Sequence, residues 1–62
     1  MIIDALQKKY EAEIAAAKAN IQVYMDNPAG IGEHPDLVSA VDSEMAKLAE
    51  AEDKLDTLMD NF

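Results

Sequence analysis

The residues best equipped for chemistry lie close together in the middle of the chain. Glu33, His34 and Asp36 set two carboxylates beside the only histidine, a group that could hold a divalent cation or share acid and base roles near neutral pH. They belong to the run Asn27-Pro28-Ala29-Gly30-Ile31-Gly32-Glu33-His34-Pro35-Asp36, which contains both prolines and both glycines of the protein. Asp26 to Leu37 has the length of an EF-hand loop. However, Pro28, Gly30 and Leu37 occupy its third, fifth and twelfth positions, where calcium needs oxygen ligands. Gly30-Ile31-Gly32 lacks the third glycine of a dinucleotide-binding turn, since Pro35 stands in its place, and no Walker lysine follows. A single histidine at a helix start is more often a cap or a surface group than a ligand. The sequence therefore assigns no catalytic, cofactor-binding or metal-ligating residue.

The elements on either side must position this run. Two prolines fix φ and remove backbone donors, and two glycines admit left-handed backbone, so no helix continues through it. The chain reads as all-α: a first helix over about 2–26, a turn over 27–34 and a second helix over about 35–60. Asn27 precedes a proline and is pushed out of the α region, which stops the first helix at Met25 or Asp26. Pro35 suits the first position of the second helix with His34 as its N-cap. Glu33 and Asp36 then lie where the helix dipole favours acids. Ile31, apolar between two glycines, is expected to cap the end of the core.

Large apolar residues of the first helix fall at Ile3, Leu6, Tyr10, Ile14, Ala17, Ile21 and Met25. Their eleven-residue repeat predicts a nearly straight stripe that packs on the second helix. A second stripe of small side chains, Ala5, Ala12, Ala16, Ala19 and Val23, would let another helix approach, and it is the expected oligomer interface. In the second helix the expected stripe is Leu37, Val41, Met45, Leu48, Leu55, Met59 and Phe62, with Glu52 interrupting it. The architecture these patterns predict is an antiparallel two-helix hairpin that dimerises into a four-helix bundle.

Composition narrows the partners. A chain of 62 residues without cysteine has too small a core to be stable by itself and no disulfide to staple it, which leaves oligomerisation. No segment approaches a membrane span, and Asp4, Lys8 and Lys9 interrupt the N-terminus too soon for a signal peptide, so a cytoplasmic location is expected. The net charge is -8, unevenly spread. Residues 1–26 carry three lysines against four acids, a net of -1; residues 27–62 carry two lysines against nine acids, a net of -7. A dimer at twice -8 would carry -16, which argues against direct contact with nucleic acid or anionic lipid.

The run from Val23 to Asp36, Val23-Tyr24-Met25-Asp26-Asn27-Pro28-Ala29-Gly30-Ile31-Gly32-Glu33-His34-Pro35-Asp36, followed by an acidic helix, resembles small uncharacterised proteins of T4-like tailed bacteriophages, marine ones included. The resemblance implies a phage origin, a helical hairpin and expression inside an infected bacterium. It carries over no catalytic residue and no cofactor.

The function expected from these readings is non-enzymatic: a small acidic interaction or adaptor protein, probing a protein partner, basic in character, through Gly32, Glu33, His34 and Asp36 of the turn and Glu50, Asp53 and Asp60 of the second helix. The alternatives are an acidic mimic of DNA that blocks a nucleic-acid-binding protein, and a minor structural or assembly protein of a virion.

Overall fold

The computed structural model describes residues 1–27 and 36–62. Among these residues there are two helices, α1 (Ile2–Asp26) and α2 (Leu37–Asn61), and no strand. They run antiparallel and pack along their length: Asn20 reaches Glu44, and Lys54 lies over the Tyr10 ring.

α1 is helical because its middle is built from strong helix formers. Ala12, Ala15, Ala16, Ala17 and Ala19 alternate with glutamate and lysine, and no glycine or proline interrupts the 25 residues. It ends where Pro28 requires, at Asp26, with the Asn27 N–H donating to the Val23 carbonyl at 3.1 Å. α2 begins differently from the sequence expectation. Its N-cap is Asp36, not His34, and its first residue is Leu37, not Pro35. The reason is geometric: one Asp36 oxygen accepts the Ser39 N–H at 2.9 Å and the other accepts the Ser39 hydroxyl at 2.7 Å. Aspartate three residues before a free backbone donor is among the best N-caps, whereas histidine is a poor one. Ile31, His34 and Pro35 lie outside the described residues.

The seam between the helices is narrow. Its least exposed residues are Ala17, Ala51 and Leu58, with Leu58 6% exposed. In α1 the buried and half-buried side chains are Ile3, Leu6, Gln7, Tyr10, Ile14, Ala17, Ile21 and Tyr24. In α2 they are Leu37, Ala40, Val41, Glu44, Leu48, Ala51, Leu55 and Leu58. Leu6 keeps the place expected for it, Gln7 and Tyr24 join the stripe of α1, and apart from Leu6 and Ala40 both helices step by 4 and 3 in alternation, a seven-residue repeat. Met25, expected in the seam, is 65% exposed, and Tyr24 takes the inward position.

In α2 the correction is larger. Met45, Met59 and Phe62 are exposed, and Glu44, Ala51 and Leu58 point inward. The apolar arc of α2 is wider than one seam, so the helix can roll about its axis without leaving apolar surface. Small residues decide the roll, because Ala17 and Ala51 let the two backbones approach within a turn of each other. Glu52, the interruption in the expected stripe, is exposed. Phe62 is 84% exposed at the end of a shallow groove with Leu6 and Tyr10. Its N–H donates to Leu58, which holds the last turn helical.

Leu58→Ala should lower stability by about 2–4 kcal/mol, because it empties the most enclosed large side chain of the seam. Asp36→Ala should lower it by about 1 kcal/mol through loss of the cap. Urea unfolding followed by helical circular dichroism measures both, with Leu58→Ala having the larger effect.

Candidate functional site

The hairpin has two broad sides, and their chemistry differs. Successive residues of a helix are turned by about 100°, so a residue's number fixes the side on which it stands once the seam is known. One side is polar. It is an open cleft of about 270 Å³ between the helices, lined by Glu13, Ala16 and Asn20 from α1 and by Glu44, Lys47, Glu50 and Lys54 from α2, with Ala17 and Ala51 at its floor.

Its polar groups satisfy one another. Glu44, inward on α2, accepts from Asn20 Nδ2 through one oxygen at 3.3 Å and from Lys47 Nζ through the other at 3.3 Å. Lys54 Nζ meets Glu50 at 3.1 Å and stands 5.9 Å from the centre of the Tyr10 ring. The Glu50 carboxylate, first as a hydrogen-bond acceptor and then as a charge, holds the Lys54 ammonium above the ordinary lysine pKa. Lysine above its usual value stays a cation throughout the physiological range, so Lys54 keeps its charge there. Lys9 and Glu13 pair at 3.9 Å at its edge.

The opposite side is apolar. Near the turn, Tyr24 and Met25 of α1 and Leu37, Val38, Val41, Asp42 and Met45 of α2 line a groove of about 500 Å³, in which Asp42 is the one charged residue. Val38 is 81% exposed in it. By helical rotation the same side continues down the hairpin through Ile21, Leu48, Ile14, Leu55 and Met59, the first four of them half-buried. The exposed apolar residues of this side are Met25, Val38, Met45 and Met59, and Ile14, Ile21, Leu48 and Leu55 are half-buried between the helices.

The residues singled out by sequence divide among these surfaces. Ala5, Ala12, Ala16, Ala19 and Val23 are all exposed: Ala5, Ala12 and Ala19 on the part of α1 turned away from α2, and Ala16 and Val23 lining open clefts beside it. Glu50 belongs to the polar side, paired with Lys54. Asp53 and Asp60 are exposed on the outer part of α2; Asp42, which lines the groove beside Met45, and Asp56 are exposed too, and none of these four forms an ion pair among the described residues. Asp36 is committed to capping α2. Gly32, Glu33 and His34 lie outside the described residues. Among the described residues no three His, Cys, Asp or Glu side chains gather as a metal site. No helix among them is long and apolar enough to cross a membrane.

Comparison with protein families, curated proteins and solved structures finds no match to this chain. Its sites must therefore be read from its own geometry. The feature that sequence reading passed over is the long apolar side. Its signal was present, because Met45, Met59 and Met25 were placed on the expected core stripes. What was missing was the roll of each helix, which turns those methionines out of the seam.

Glu44→Ala tests the polar cleft. It removes the bridge between Asn20 and Lys47 and should cost about 0.5–1 kcal/mol in low salt, with the loss shrinking in 1 M sodium chloride as the ionic part is screened. Thermal unfolding at the two salt concentrations reads the difference.

Proposed function

We propose that the protein is a non-enzymatic interaction module: a homodimeric four-helix bundle that presents the acidic outer surface of α2 and the turn to a protein partner. The observation that carries this reading is the division of surfaces. A strip of large apolar side chains suits burial against another hairpin, and on the outer part of α2 Asp53 and Asp60 are exposed and form no ion pair among the described residues. Unpaired carboxylates on a rigid helix form a fixed field that attracts a basic surface and speeds its approach. A hairpin this thin encloses no substrate, since its clefts are open to water.

The partner-facing residues of this reading are Asp53 and Asp60 on α2, Glu50 at the edge of the polar cleft, and Gly32, Glu33, His34 and Asp36 at the turn. It needs no cofactor and no metal. The likeness of the turn to small phage proteins makes the cytoplasm of an infected bacterium the place of action and a bacterial protein the partner. The same row of carboxylates supports a second reading, in which α2 imitates the phosphates of DNA and occupies a nucleic-acid-binding groove.

Affinity capture from a bacterial lysate with tagged protein, at low and at high salt, tests the proposal. One stoichiometric protein should be retained. It should be lost with the Asp53→Asn/Asp60→Asn variant or with Glu33→Ala and His34→Ala, all of which keep full helical circular dichroism. Competition by duplex DNA and a graded loss as acids are removed would select the mimic. Equal capture by the parent chain and every variant would defeat both versions.

A further inference from the structure

The apolar side of the hairpin is more than uncovered: its residues are arranged symmetrically along it. The height of one helix against the other is fixed by two contacts. Asn20 lies six residues after Ile14 and touches Glu44, six residues before Glu50; Tyr10 lies four before Ile14 and meets Lys54, four after Glu50. Ile14 and Glu50 are therefore level.

On the apolar side of α1, Ile3 and Met25 lie eleven residues on either side of Ile14, and Gln7 and Ile21 lie seven. Glu11 and Lys18 lie three before and four after it. On α2, Val41 and Met59 lie nine residues on either side of Glu50, Met45 and Leu55 lie five, and Leu48 and Glu52 lie two. Two helices with independent spacings thus share one centre at one height. That is the requirement for a face that pairs with itself about a two-fold axis.

We propose that this face binds a second copy of the chain about a two-fold axis perpendicular to the helices at the level of Ile14 and Glu50. This deepens the dimer in the function proposed above by naming its surface and direction. α1 lies antiparallel to the partner's α1, and the two turns are at opposite ends. Ile14 packs at the axis, Ile3 meets the partner's Met25, and Val41 meets the partner's Met59. Met45 meets the partner's Leu55. Glu52, in the same column as Met45 and Met59, covers the partner's Leu48 with its stem and must carry its carboxylate past it to water.

Charge supports this arrangement. Glu11 comes opposite the partner's Lys18, twice by symmetry; neither residue has an ion pair within its own hairpin among the described residues, Glu11 there accepting only from Gln7 Nε2 at 3.4 Å. The other face-to-face two-fold, along the hairpin, would lay α1 on the partner's α2 and set Glu11 beside the partner's Glu52 at nearly the same height, twice by symmetry. About the perpendicular axis Glu52 instead stands four residues, about 6 Å, in height from the partner's Glu52.

Area supports the same occupant. The chain exposes 4632 Å², and a compact monomer of 6.8 kDa exposes about 4,000 Å². The excess of roughly 600–700 Å² is close to the ~800 Å² that each partner contributes to a standard interface. The radius of gyration, 14.2 Å, likewise exceeds the about 11 Å of a compact chain this long.

Charge exchange under sedimentation equilibrium tests the proposal. Lys18→Glu and Glu11→Lys should each weaken the dimer about tenfold or more, and the double variant should recover it. General repulsion between two acidic chains predicts otherwise: Glu11→Lys would tighten the dimer. Ala12→Glu and Ala19→Glu, on the outer part of α1, should leave the dimer intact. Spin labels on Asp26→Cys supply the direction. Twelve residues from the axis at 1.5 Å each, the two labels should lie about 36 Å apart or more, against under about 25 Å if the turns share an end.

A monomer at 50 µM, tightening by Glu11→Lys, dissociation by the alanine variants, or the short distance would each overturn the proposal. A monomer that still captures its partner would locate the failure in this interface and not in the interaction module.

Discussion

Everything in this structure depends on how closely two helices can approach when nothing else is available to cover them. The approach is set where Ala17 and Ala51, each 2% exposed, lie within a turn of each other. A methyl group there brings the backbones together, and the flanking Tyr10, Ile14, Leu48 and Leu58 close around the contact. The rotation this fit imposes on each helix decides which side chains go inside. It leaves the methionines of both helices on one side of the hairpin and the lysine–carboxylate pairs on the other.

The two sides then acquire separate chemistry. On the polar side Glu44 stands at an inward position and is satisfied by Asn20 and Lys47, and Lys54 is shared between Glu50 and the face of Tyr10. A half-buried carboxylate bonded across the seam favours one alignment of the two helices over its neighbours, since sliding by a turn would take Asn20 from Glu44 and leave that carboxylate only Lys47 of its own helix. The polar side thus fixes register, and the apolar side remains available. Division of labour of this kind lets a very short chain be both a specific hairpin and a component of a larger bundle.

Much of the candidate site was legible in the sequence as composition and little of it as position. The excess of acid on the second helix is visible in a count of residues, and Asp53 and Asp60 are exposed as expected. The Glu50–Lys54 pair follows from spacing alone and forms at 3.1 Å. Asp36, expected as an acid near the dipole, is the cap itself, because its two oxygens fit the Ser39 N–H and hydroxyl better than an imidazole one residue pair earlier could. The alanine stripe was read as an approach surface because alanines permit close contact. On α1, Ala5, Ala12 and Ala19 lie away from α2, as a surface for a different helix would, while Ala16 and Val23 line the clefts beside α2.

By itself the sequence determined the architecture and its limits. Two prolines and two glycines between two uninterrupted helical patterns require a hairpin, Pro28 ends the first helix at Asp26, and the lack of cysteine leaves no internal staple. Only the tertiary structure decided the faces. Each helix carries an apolar arc wider than the single seam it shares, and a pattern of that width is compatible with several rolls about the helix axis. Which one is adopted depends on how Ala17, Ala51 and Leu58 fit against the opposite backbone. That is a property of two surfaces in contact, and neither helix contains it alone.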